Sequence, residues 1–280
     1  MTTYRYRLVN VFAEQPFGGN PLAVFPNAHG LDDATMQLIA RQFNLSETVF
    51  VFPSEHADAA LRIFTPSYEL PFAGHPTLGS AYVLHQERHL DDRFALETRA
   101  GVIPLEHAGG VYTLSANVAT SRSADLSRAA AAEMLGLEAS DIAHDPEWVN
   151  AGSEQLLIRL SNRAAVLTAR PDPVLFKQRA TLRPGHSVAY VWHVDGNVAT
   201  VRLFFEQLGA VIEDPGTGSA CANLGGWCVL NGLAPLVWRV EQGEVIDRPN
   251  VLYLSVDKAG QTRVGGRVID VADGEFHLPG

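Results

Sequence analysis

Landmarks in the first half of this chain return, in order, 140 to 142 residues later. Val9-Asn10 comes back as Val149-Asn150, Arg62-Ile63-Phe64 as Arg202-Leu203-Phe204, and Val111–Ser115 as Val251–Ser255, all at an offset of 140. Gly74-His75-Pro76-Thr77 lines up with Gly216-Thr217-Gly218-Ser219, and Gly101-Val102-Ile103 with Gly243-Glu244-Val245, at 142. One such match is weak, but collinear matches at one spacing mark a duplicated fold. Two halves of a 280-residue chain are each large enough to bury a core. The reading is two similar domains, residues 1–117 and 118–280, with a last strand that can return to the first domain.

Runs rich in β-branched and aromatic residues recur from Tyr4–Phe12 through Thr48–Phe52 and Val188–Val194 to Val251–Val256, and read as strands. Helical periodicity is scarcer. It falls on Ala34–Phe43, with Asp32 or Asp33 as cap, and on Thr77–Arg88, Leu126–Leu137 and Ser219–Leu230. Strands outnumber helices and the helices lie scattered between them, which predicts an α+β fold rather than a doubly wound parallel sheet.

Composition narrows the partners. A net charge of −10 with no run of Lys or Arg argues against nucleic acid. The two cysteines, Cys221 and Cys228, form neither a disulfide framework nor a CxxC pair, so a reducing, cytoplasmic setting is expected. Residues 215–238 carry no formal charge, yet their many Gly, Asn and Pro residues point to a buried helix bounded by loops rather than a membrane span.

A duplicated fold is expected to set a ligand cleft between its halves, lined by elements that match in structure and differ in chemistry. Gly74-His75-Pro76-Thr77 and Gly216-Thr217-Gly218-Ser219 are such a pair. Each places Gly before a helix, so backbone N–H groups at two helix starts can hold an anion, most simply a substrate carboxylate. Taken singly, each also reads as an ordinary helix cap.

With these segments on view, the chain resembles the PhzF-like (phenazine-biosynthesis) isomerases, which share the diaminopimelate epimerase fold. The resemblance rests on Val9–Phe12 with Gly19–Phe25, Asn44–Thr48, Arg62–Pro66 through Glu69 to Phe72–Gly79, Glu213–Ala220, Gln242-Gly243 and Arg248-Pro249. It implies two domains, each an open β-barrel around a central helix, a homodimer, a small-molecule carboxylate substrate, and neither metal nor organic cofactor. It further implies that Glu47 is the catalytic acid/base, with His75 and Asp214 as further catalytic residues and His75, Asp214, Gly74 and Ser219 at the substrate. Ser46, Gly216, Thr217 and Gly218 lie in the same motifs, and Asn20, between Gly19 and Pro21, is a further candidate for the site lining.

The chemistry is consistent with that assignment. A carbon-to-carbon proton shift needs a base that hands its proton back. Glu47, between Leu45 and the apolar run Val49–Phe52, is placed for partial burial, which disfavours the ionised form. His75 can donate a hydrogen bond or relay a proton, and Asp214 can orient a substrate amino or hydroxyl group. At the 140 offset Glu47 meets Ser187, so the second half lacks this carboxylate.

Epimerases of this fold that use two thiols carry one beside each paired glycine motif; here Ala73 and Pro215 stand there, and Cys221 and Cys228 read as buried small apolar residues. A non-catalytic binding protein on the same scaffold is the rival from another class. His85 and His89, four apart, read as a solvated helix end rather than a metal site.

Overall fold

The computed structural model describes residues 2–207 and 209–278, and the chain divides into two compact units. Residues up to 115 and from 265 onward form the first, residues 116–264 the second. The first holds β1 (Thr2–Val11), β2 (Asn20–Phe25), α1 (Asp33–Phe43), β3 (Thr48–Phe52), β4 (Ala59–Phe64), β5 (Glu69–Leu70), α2 (Gly74–Arg88), β6 (Arg93–Thr98), β7 (Gly101–Ala108) and β8 (Val111–Ser115). The second holds β9 (Thr120–Ser123), α3 (Arg128–Leu135), β10 (Glu147–Asn150), β11 (Glu154–Arg159), α4 (Arg163–Thr168), α5 (Pro173–Arg179), β12 (Thr181–Arg183), β13 (His186–Asp195), β14 (Val198–Gln207), β15 (Ala210–Asp214), α6 (Gly218–Leu230), β16 (Leu236–Gln242) and β17 (Asn250–Val256). The chain changes unit within β18 (Thr262–Gly266), and β19 (Val268–Leu278) pairs antiparallel with β1 in the first unit.

Strand pairing follows one pattern in both units. In the first, β1–β2 is antiparallel, β2–β3 parallel, β3–β4 antiparallel, β4–β6 parallel and β6–β7 antiparallel, with short β5 laid on β4. In the second, β10–β11, β11–β13, β13–β14, β14–β16 and β16–β17 follow the same order of antiparallel and parallel contacts, with β15 on β14. The repeated Arg-x-Phe marks equivalent places: Arg62 on β4 lies over Phe64 and pairs with Glu69 through two 2.7 Å bonds, and Arg202 on β14 lies over Phe204 and pairs with Glu213 at 2.7 Å.

Each unit wraps strands around one helix. α2 packs on β1, β2, β3, β8 and β19, and α6 on β9, β10, β11 and β17. Neither has a polar face, as befits a helix buried on all sides. In the first unit α1 covers the opposite face of the strands, burying Met36, Ile39 and Ala40 against Phe25, Phe50 and Phe64. β2 and β3 are therefore apolar on both faces, which is why they read in sequence as continuous runs rather than alternating ones.

Several expectations need correction. α2 begins at Gly74, not Thr77, and so takes in His75 and Pro76; a proline in the first turn sacrifices no helical hydrogen bond. α6 begins at Gly218, which pairs Gly74 with Gly218 as first helical residues and leaves Gly216 before the cap residue Thr217. α3 is confined to Arg128–Leu135 by its Ser127 cap. α4 and α5 were not anticipated, being one or two turns long and too short to show a period. Among the described residues no helix is long and apolar enough to cross a membrane, and the uncharged run 215–238 contains α6.

Gly79 lets α2 approach β1 and β2, since a Cβ there would lie 2.4 Å from Leu22 Cδ2 and 2.8 Å from Val11 Cγ2, both in the core. Gly79→Ala is expected to destabilise the protein by about 1–3 kcal/mol through overpacking, measured by denaturant unfolding.

Candidate functional site

Parallel pairing of β2 with β3 puts the N-terminal ends of both strands on one side, and the start of α2 meets them there. Asn20 opens β2, Glu47 immediately precedes β3, and His75 is the second residue of α2. His75 is buried, with Nδ1 2.8 Å from Glu47 Oε2 and Nε2 3.1 Å from the Asn20 carbonyl oxygen. A carbonyl only accepts, so Nε2 carries a hydrogen. The contact at Nδ1 then has two neutral-overall forms: an imidazolium donating to the Glu47 carboxylate, or a Glu47 carboxyl donating to a neutral ring. One proton lies between the two side chains, and the ring occupies Oε2. Glu47 keeps 18% of its side-chain surface exposed, enough for access. Ser46 sits one residue earlier in the same α1–β3 loop, which Asn44 starts in a left-handed conformation as the C-cap of α1.

The start of α2 lacks a side-chain cap. Thr77 N–H already bonds Ala73 carbonyl at 3.2 Å and Pro76 has no N–H, so the amides of Gly74 and His75 are the donors left outside the helical ladder. In the second unit the α6 start also lacks a side-chain cap, and the Cys221 N–H to Thr217 carbonyl bond opens the ladder, leaving the amides of Gly218, Ser219 and Ala220. The other four α-helices among the described residues are capped by Asp32, Ser127, Asn162 and Asp172. The two helix starts singled out by sequence are thus the two whose N-termini remain available to an anion.

The second unit's residues gather around α6. Thr217 turns its hydroxyl away from the helix to donate to Asp214 Oδ2, and buried Gln242 holds this turn. Its Oε1 accepts from Thr217 N–H at 3.1 Å, and its Nε2 donates to Asp214 carbonyl at 2.8 Å and to Thr217 Oγ1 at 2.9 Å. Gly216 packs on buried Asn250; a Cβ there would fall 2.3 Å from Asn250 Oδ1. Ser219, at the helical position that His75 holds in α2, accepts a 3.0 Å bond from Gln155 Nε2. Its own hydroxyl proton is therefore directed elsewhere. Gln155 is fixed by Asn223, fully buried in α6, whose Nδ2 donates to Gln155 Oε1 at 2.6 Å and to Ser153 carbonyl at 2.7 Å.

Within the first unit, then, the structure joins Asn20, Glu47, Gly74 and His75, and within the second it joins Asp214, Gly216, Thr217, Gly218 and Ser219. Sequence reasoning missed Gln155 and Asn223 and carried Gln242 only inside a motif. Asn223 had a signal: a polar residue in an otherwise apolar run must find partners once buried. Ser187, the counterpart of Glu47, is buried and bonded to Thr181 and Glu206.

Cys221 and Cys228 are both buried, and burial raises both thiols, Cys228 to about 12. Thiolates near neutrality are thereby disfavoured, which removes the chemical basis of a two-thiol mechanism. A chromogenic thiol reagent at pH 8 is expected to find no reactive cysteine in the folded protein and two after denaturation. Because both thiols are raised on folding, the unfolded chain loses these protons first; their contribution to stability is intact below the unfolded thiol range of about 8.5 and declines as pH rises above it.

Comparison with known proteins identifies the family of the chain. Residues 9–274 match the family model described as phenazine biosynthesis-like protein, PhzC-PhzF. A relative from Pasteurella multocida, named an uncharacterized isomerase, is 52% identical over all of this chain and 96% of its own length. The trans-2,3-dihydro-3-hydroxyanthranilate isomerase of Pseudomonas aeruginosa is 34% identical, covering 98% of this chain and 100% of that protein. Among solved structures, a Bacillus anthracis phenazine biosynthesis protein of the PhzF family superposes with a TM-score of 0.86 at 25% identity, over 99% of this chain and 100% of that one. The chain belongs to the phenazine biosynthesis-like PhzC-PhzF family, whose relatives include named isomerases.

Proposed function

We propose that this protein is an isomerase that shifts a proton between carbons of a small carboxylate-bearing substrate, with Glu47 taking the proton up and returning it. The observation that carries the reading is the Glu47–His75 pair, 2.8 Å apart at an uncapped, buried helix start. With Glu47 ionised and His75 an imidazolium, Oε1 is the base. Uptake of a carbon proton takes the pair from neutral to a single positive charge while the substrate gains a negative one, so charge is opposed where it develops. The amides of Gly74 and His75 and the positive end of the α2 dipole act in the same direction. Return of the proton from Oε1 to a different carbon completes the shift and restores the starting charge. No electron is transferred overall.

In this reading His75 is a positioning residue: it holds Oε2 and leaves Oε1 free to face the substrate. Within the second unit, Ser219 and the α6 amides are donors suited to an anion, and Asp214 is an acceptor suited to an amino or hydroxyl group. Support for the substrate class comes from the Pseudomonas relative, named for a dihydro-hydroxyanthranilate, a ring that carries carboxylate, amino and hydroxyl groups.

Incubation with trans-2,3-dihydro-3-hydroxyanthranilate in D2O, followed by NMR, is expected to show isomerised product, with deuterium bound to carbon in the fraction of turnovers in which the Glu47 proton exchanges with solvent before its return. Glu47→Gln is expected to lower the rate by about 10²–10⁴. Full activity in Glu47→Gln overturns the proposal. So does ligand-dependent stabilisation with no turnover across a panel of amino- and hydroxy-carboxylates, the behaviour of a binding protein.

A further inference from the structure

Ten residues along α2 from His75, about 15 Å at helical rise, a second histidine takes part in a different cluster. His85 lies in the last turn of α2, Asp92 in the connection to β6, and His107 near the end of β7. One donor atom from each lies within 4.8 Å of the others, and the two imidazole centroids are 4.7 Å apart. This departs from the sequence reading, which paired His85 with His89 as a solvated helix end. His89 is instead the exposed C-cap of α2, in a left-handed conformation, while His85 is half-buried and stacks on Phe94.

We propose that His85, Asp92 and His107 bind a divalent transition-metal cation of the Zn²⁺ type, independently of the reaction proposed for Glu47. Two imidazoles and a carboxylate are a donor set suited to such ions, and water completes the coordination. The surroundings fix the donors as a metal site requires. His85 Nδ1 is engaged with the hydroxyl of buried Tyr112 at 2.8 Å, which orients the ring and leaves Nε2 as the donor. Asp92 and His107 are tied through the backbone, His107 N–H to Asp92 carbonyl at 2.8 Å, and their side chains already meet, His107 Nδ1 to Asp92 Oδ1 at 2.9 Å, a contact whose proton the metal displaces on binding. A tetrahedral Zn²⁺ sets its donors roughly 3.4 Å apart, so closing the triad takes shifts of about 1 Å, within reach of the exposed Asp92 side chain. The C-terminal end of a helix carries partial negative charge and favours a cation. Bound there, the ion ties the far end of the helix that carries His75 to β7.

The test is Zn²⁺ titration by calorimetry on chelator-treated protein, with Co²⁺ absorption as a second readout. The wild-type chain is expected to take up one Zn²⁺, with affinity lowered at least tenfold in His107→Ala and in Asp92→Asn, and unchanged in His89→Ala. Co²⁺ is expected to give a d–d spectrum that His107→Ala abolishes. Absence of stoichiometric Zn²⁺ uptake by the wild-type chain, wild-type affinity in His107→Ala, or loss of uptake in His89→Ala overturns the proposal; the cluster is then an ordinary Asp92–His107 ion pair beside a stacked ring.

Discussion

Because a backbone carbonyl can only accept a hydrogen bond, the 3.1 Å contact between Asn20 and His75 Nε2 decides the state of everything around it. With Nε2 committed as a donor, the ring meets Glu47 only through Nδ1, and one proton must lie between the two. That arrangement lets a carboxylate and an imidazole share a largely buried place with no net charge in the resting state, which avoids the heavy cost of an isolated buried ion. It depends on the fold at long range. Asn20 and Glu47 come from the starts of two parallel strands and His75 from a helix start, so the pair exists only when β2, β3 and α2 are assembled.

The duplicated scaffold sharpens what is peculiar to this site. Both units have the same strand partners, an Arg-x-Phe strand whose arginine is held by a glutamate, and an uncapped central helix. The chemical residues differ at matching places: His75 against Ser219 as second helical residue, and Glu47, just before β3, against Ser187, the second residue of the equivalent strand β13. One half is equipped to move a proton. The other is equipped with directed hydroxyl and amide donors, held by Gln155, Asn223 and Gln242.

Much of this was legible in the sequence because it is carried by local pattern and spacing. The offset of Arg62 from Arg202 foretold repeated strands, and the glycine-led segments foretold two helix starts. The exact start of α2 was not legible in the periodicity, because the apolar pattern begins only at Leu78, while Gly74, His75 and Pro76 carry no period of their own. β19 was expected only as an unspecified last strand: Asp270, Asp273 and Glu275 interrupt any apolar alternation, and its place is set by long-range pairing with β1. Gln155 was invisible for a similar reason. A lone glutamine announces no partner 64 residues away, and only the fold sets it against Ser219.

The most direct test of the account is the nitrogen-15 NMR spectrum of the His75 ring at neutral pH, compared between the wild-type protein and Glu47→Gln. A protonated Nε2 is expected in both, with the change on substitution confined to Nδ1. A His75 ring whose Nε2 is unprotonated would contradict it, because Asn20 would then not fix the tautomer and no single proton would be shared with Glu47.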